Sequence, residues 1–168
     1  MTERQKINQV INKLRTHWPS TPEECRTYGI RLCKNSESGA YRYVYKVWGL
    51  PIVIKFPQSD GDIKHAIQEW IVYNKLKFCD KYKKLKKYMP AIYHFNINTG
   101  VSAMRYYELL GPSNWRQPNK HDRSRELLQK RIKKVYKTAN DVDNSGNVAR
   151  DKNGQLKVID LGCFDEVW

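Results

Sequence analysis

Lys55 closes the apolar run Ile52-Val53-Ile54, and Glu69 follows fourteen residues later within Gln68-Glu69-Trp70, on helical spacing. A lysine that holds anionic phosphates must be oriented, and a carboxylate on an adjacent helix does that. Towards the other end of the chain, Asn147 and Asp160 stand thirteen residues apart, across an Asn153-Gly154 turn and a short apolar run. One carboxylate and one amide oxygen suit a hard cation that bridges phosphate oxygens. A lysine ending a strand is common; four such groups in this order and spacing are not.

The loop around Asn147 supports a rival chemistry. Asp141-Val142-Asp143-Asn144-Ser145-Gly146-Asn147-Val148 fits the first eight positions of an EF-hand calcium loop, with glycine at the sixth. The twelfth position, which should be a bidentate glutamate, is Lys152. Replacing that ligand by a cation works against calcium, and an Asx-rich turn between helix and strand is the plainer expectation. His17, His65, His94 and His121 show no HxxxH or HExxH spacing and read as structural. Cys25, Cys33, Cys79 and Cys163 form no CxxC pair, which argues against both a thiolate zinc site and a disulfide scaffold.

A defined set of elements must position these groups. Residues 2–17 read as an amphipathic helix capped by Thr2, with Ile7, Val10, Ile11 and Leu14 on one face. Trp18 extends that stripe and Pro19 ends the helix. Tyr41 to Val47 alternates and reads as a strand, Gly49 and Pro51 mark a turn, and Ile52 to Phe56 reads as the next strand. Residues 63–78 return to helical spacing through Ile67, Ile71 and Leu76, and the lysine-rich stretch up to Pro90 reads as a linker. Ala91 to Asn96 and Val101 to Tyr107 are strand-like about an Asn98-Thr99-Gly100 turn. Gly111 to Asn119 reads as a loop, 122–138 as a basic helix through Leu128, Ile132 and Val135, and Gln155 to Asp160 as a short strand.

This order of elements resembles the protein-kinase fold over roughly residues 29–164. Ile52-Val53-Ile54-Lys55 is similar to the family's Val-Ala-Ile-Lys strand, and Glu69 lies where its paired glutamate does. Val158-Ile159-Asp160-Leu161-Gly162 resembles the Asp-Phe-Gly element, and Asn147 has the spacing of the catalytic-loop asparagine. The resemblance implies ATP and magnesium as cofactors. Lys55 would hold phosphates, Glu69 would orient it, and Asn147 and Asp160 would bind the metal. Met104 to Leu109 occupies the place of the hinge, so Met104 and Tyr106 would meet the nucleotide together with Gly39 of the glycine-rich loop.

The departures from the family are equally specific. Glu37 and Arg42 stand at the other two glycine positions of that loop, so backbone cannot approach phosphates as closely there. The catalytic aspartate should fall at Val142; Asp141 and Asp143 flank it and are the candidate bases. Eight residues follow Asp160, so the expectation is a kinase-like large lobe without its activation segment or peptide-binding helices. Compact kinase-like chains of this kind suit a bacterial or phage setting.

The 168 residues carry 31 Lys+Arg against 17 Asp+Glu, a net charge of +14. Seven lysines and one acid fall between Lys75 and Lys87, and seven basic residues and one acid between Arg123 and Lys137. Such density favours polyanions, or is simply a solvated helix face. Neither segment carries a groove-reading motif, so an acidic protein is the expected partner, with nucleic acid as the other polyanion. No apolar run approaches bilayer length, and the N-terminal residues lack the apolar core of a signal peptide, so a cytoplasmic protein with no membrane partner is expected.

The expected architecture is α+β, divided into three parts. Residues 1–20 form an extra N-terminal helix. Residues 21–110 form a kinase-like small lobe with a five-stranded antiparallel sheet and one helix. Residues 111–168 form a truncated helical large lobe carrying the metal-binding hairpin. The expected function is phosphoryl transfer to a protein or small molecule. The alternative is a catalytically impaired scaffold, a pseudokinase, that binds an acidic partner through its basic helices.

Overall fold

A computed structural model describes residues 1–34, 41–110, 120–136 and 147–161. The chain forms two compact units: 1–67 with 91–106, and 68–90 with 107–168. The N-terminal helix and the first sheet belong to the first of these units. The class is α+β, as the sequence pattern implies.

In the first unit, helix α1 (Glu3–His17) opens with a capping box. Thr2 Oγ1 accepts from Gln5 N at 3.3 Å, and Gln5 Oε1 accepts from Thr2 N at 2.8 Å. Ile7, Val10, Ile11 and Leu14 are buried along one face, as their spacing requires. Trp18 does not continue that stripe. It takes the left-handed conformation as the C-cap (φ 48°), donates its N–H to Leu14 O, and stays 57% exposed.

A short helix α2 (Pro22–Thr27) follows, which periodicity over six residues could not reveal. Its caps are legible: Thr21 Oγ1 accepts from Glu24 N, and the Glu24 carboxylate accepts from both Ser20 N and Ser20 Oγ. Those hydrogen bonds hold the Glu24 pKa below the usual carboxylate range.

Five antiparallel strands form the sheet: β1 (Leu32–Lys34), β2 (Arg42–Val47), β3 (Ile52–Pro57), β4 (Ile92–Phe95) and β5 (Ser102–Arg105), in the order β1-β2-β3-β5-β4. Ile52, Ile54 and Phe56 share a core with Val47, Val101, Ala103, Cys25 and the four apolar residues of α1. Because β3 is the central strand, it reads as a continuous buried run instead of a clean alternation. Asn96 Oδ1 accepts from the N–H groups of Asn98 and Thr99 and so builds the β4–β5 turn that Gly100 completes at φ +67°.

Helix α3 (Ile63–Phe78) has the bounds its spacing predicts, and the division between the units falls after its Ile67. In the second unit, the stretch read as a linker is a 3₁₀ helix, Asp80–Tyr88. Its apolar residues recur every third position, and Tyr82, Leu85 and Tyr88 are buried while the intervening lysines stay exposed. Helix α4 (Lys120–Lys133) ends earlier than its periodicity suggests. Three short strands, β6 (Glu108–Leu109), β7 (Val148–Arg150) and β8 (Leu156–Val158), pair antiparallel in that order. Tyr82 and Tyr136 meet with ring centroids 5.4 Å apart, and Lys157 Nζ donates to Lys87 O at 2.7 Å, tying the 3₁₀ helix to the rest of this unit.

Candidate functional site

In the first unit, Lys55 lies on β3 opposite Val44 of β2 and Ser102 of β5. Side chains alternate across a strand, so Lys55 points away from the face on which Ile54 and Phe56 enter the core. It is nevertheless only 9% exposed. Its neighbour two residues back, Val53, pairs with Met104, so Met104 shares that face. Lys46 also pairs with Val53, and its ammonium sits 4.1 Å from the centroid of the Tyr106 ring. One side of the sheet therefore gathers Lys55, Met104 and Tyr106, three of the residues singled out from sequence.

The backbone on this side is already engaged in part. Met104 stands in register with Val53 on one side and Ile92 on the other, and Tyr106 N–H donates to Pro51 O at 2.9 Å. Met104 itself is buried, and the Tyr106 ring is half-buried. Gly39 lies outside the described residues, as does Glu37. Arg42, at another of the glycine-loop positions, begins β2 and is buried.

In the second unit, Glu69 on α3 is 6% exposed, and its Oε1 accepts the backbone N–H of Leu161 at 3.2 Å. That places the carboxylate one residue from Asp160. Asn147 is drawn to the same stretch from the other side, since its carbonyl accepts Ile159 N–H at 2.8 Å as the β7–β8 pairing runs out. Two hydrogen bonds thus bring Glu69, Asn147 and Asp160 together around residues 159–161. Asp141 and Asp143, the candidate bases, lie outside the described residues, as does Cys163.

Asp160 carries a carboxylate and Asn147, tied to Ile159 through its backbone carbonyl, a carboxamide, so both side chains offer oxygen donors. Hard cations with several waters and phosphate oxygens accept such a set. Among the described residues no group of three His, Cys, Asp or Glu could hold a metal ion, so a zinc-type centre has no basis there.

The calcium-loop alternative fails on its second half. Where an EF-hand passes into its exiting helix, residues 152–154 form a turn and Leu156–Val158 a strand paired with β7. Asp151 is occupied as a turn cap, its Oδ1 accepting from Asn153 N and Gln155 N at 2.9 Å each. That turn joins β7 to β8, and the Asx-rich stretch 141–146 itself lies outside the described residues.

The histidines behave as structural groups where they are described. His17 stacks on Tyr28 and His65 on Tyr41, with centroids 4.2 and 4.3 Å apart. Arg125 carries a signal that the sequence pattern concealed. Counted among the basic residues of a solvated or docking face, it is 1% exposed and falls on the buried stripe of α4 with Leu128 and Ile132. Positions 125, 128 and 132 share one helical face, so spacing could have placed it inside where residue type did not.

No protein-family model and no curated protein matches this chain.

Proposed function

We propose that the chain is a kinase-like protein that binds ATP with magnesium and transfers a phosphoryl group to a protein or small molecule. The observation that carries this reading is the Glu69–Leu161 hydrogen bond, which ties the helix glutamate to the residue after Asp160. Lys55 holds phosphates and Glu69 orients it. Asn147 and Asp160 hold the cation, which when bound neutralises charge on the phosphate oxygens. Met104, Tyr106 and Gly39 line the nucleotide, and Asp141 or Asp143 takes the proton of the acceptor. A melting titration of the whole chain with ATP and magnesium tests the site without knowing the acceptor. The expected result is a rise in Tm that Asp160→Asn removes, with roughly 2.7 kcal/mol of stabilisation at a hundredfold excess over Kd. No shift at millimolar ATP overturns the reading.

A second reading, a scaffold that engages an acidic partner without catalysis, is favoured by the 3₁₀ helix. Burial of Tyr82, Leu85 and Tyr88 leaves Lys81, Lys83, Lys84, Lys86 and Lys87 all exposed on one nine-residue element. Binding through that element weakens with added salt, and reversing Lys83 and Lys84 weakens it further.

A further inference from the structure

Three arginines in the first unit line one groove, with a single carboxylate, Glu3, among them. Arg4 and Arg15 stand on the same side of α1, about 16 Å apart at 1.5 Å per residue, and Arg105 reaches the groove from the end of β5. Among the described residues, none of these guanidiniums makes an ion pair or a side-chain hydrogen bond. Glu3 lines the same groove and pairs with none of them. Concentrating like charges costs free energy, so the groove is electrostatically complementary to an anion. The effect reaches the neighbouring strand, where burial and then the Arg15 charge hold the His94 pKa below the usual imidazole value.

The groove is large enough to hold a ligand and is lined mostly by polar side chains. Its volume is about 610 Å³, within the range of ligand pockets. Buried Ile7 and Ile11 form an apolar floor, and half-buried Tyr93 closes one side. Asn8 and Asn12, one helical turn apart, add two carboxamides to the rim. It is separate from the Lys55 face of the sheet: Arg105 pairs with Ile52, which points into the core on the opposite side.

We propose that this groove docks an acidic peptide segment of a partner protein, in which carboxylates meet Arg4, Arg15 and Arg105 and an apolar side chain rests on Ile7 and Ile11. The carboxamides of Asn8 and Asn12 match the donors and acceptors of an extended peptide backbone. A nucleic-acid strand fits less well. Tyr93 is the single aromatic of the lining and is half-buried, so it makes no stacking platform for bases.

Fluorescence anisotropy of a labelled, end-blocked peptide of alternating glutamate and leucine, titrated with the whole chain at physiological salt, tests the proposal. Saturable binding is expected, weakened about tenfold in Arg4→Gln/Arg15→Gln. Arg4 and Arg15 are exposed, so that variant should keep the parent Tm, and Arg105→Gln provides an independent second lesion. Lys64→Gln/Lys152→Gln, two exposed lysines that do not line the groove, should leave peptide binding unchanged. Equal binding of a glutamine–leucine peptide, no loss in either arginine variant, or loss only in the lysine variant overturns the proposal. So does tighter binding of an oligothymidine that is lost in the arginine variants, which would make the occupant a nucleic-acid strand.

Discussion

Leu161 N–H donates to Glu69 Oε1 at 3.2 Å, a buried hydrogen bond between residues 92 positions apart in sequence. Both ends are nearly inaccessible to water, Glu69 at 6% and Leu161 at 1%. Removing the acceptor leaves a buried N–H unsatisfied, which costs more than the bond itself contributes. Glu69→Ala is therefore expected to lower stability by about 1–3 kcal/mol. Glu69→Gln keeps an oxygen in place and should cost less. Denaturant midpoints of the two variants decide it, and equal losses would mean that the Leu161 contact contributes nothing.

Strongly periodic elements were legible from residues alone. The apolar stripe of α1, the alternation of β2 and the bounds of α3 follow from spacing and capping. Three features were hidden for physical reasons. The 3₁₀ helix has a period of three instead of 3.6, and its lysines mask the buried Tyr82, Leu85 and Tyr88. Trp18 shares the spacing of the α1 stripe, but a left-handed cap turns the chain away before its ring can pack. Arg125 is buried although its residue type says otherwise. In the candidate site, sequence supplied the identities of Glu69, Asn147 and Asp160. The contact that brings Glu69 to them joins its side chain to a backbone N–H 92 positions away, which no local pattern encodes.

His94 should make the protein acid-sensitive. Burial first and the Arg15 charge second depress its folded-state pKa. The unfolded chain then binds the proton more readily, so the stability His94 contributes is present above about pH 6.5 and is lost as pH falls towards the folded value. Tm should drop between about pH 7 and pH 5, and drop less in His94→Gln. Arg15→Gln removes only the smaller cause and should lessen the drop partially. An identical pH profile for parent and His94→Gln would assign the sensitivity to another group.

Thiol reactivity should separate three cysteines cleanly. Cys25 is fully buried in the first core, and desolvation pushes its pKa up to about 12. At about pH 8 roughly one such thiol in ten thousand is ionised, and the thiolate is the reactive form. Cys33 is half-buried and Cys79 is exposed. Iodoacetamide followed by peptide mapping should label Cys79 first, Cys33 more slowly, and Cys25 only with denaturant. Early labelling of Cys25 would mean that α1 and α2 open readily from the sheet.

Gly100 should be the least replaceable of three left-handed glycines. It sits at φ +67°, Gly49 at +68° and Gly154 at +78°, so alanine at any of them incurs the left-handed penalty of about 1–2 kcal/mol. Their surroundings differ. A Cβ on Gly49 or Gly154 would meet nothing within 4 Å. On Gly100 it would lie 2.8 Å from Pro57 Cγ, 3.2 Å from Ala66 Cβ and 3.3 Å from Ile63 Cα. Proline at the end of β3 and backbone at the start of α3 cannot swing aside as a long side chain can. Overpacking adds about 1–3 kcal/mol, so Gly100→Ala is expected to cost about 2–5 kcal/mol in all. Gly49→Ala and Gly154→Ala should stay near the lower figure. Denaturant unfolding of the three variants makes the comparison, and a Gly100→Ala midpoint equal to the other two would show that the β4–β5 turn can move away from α3.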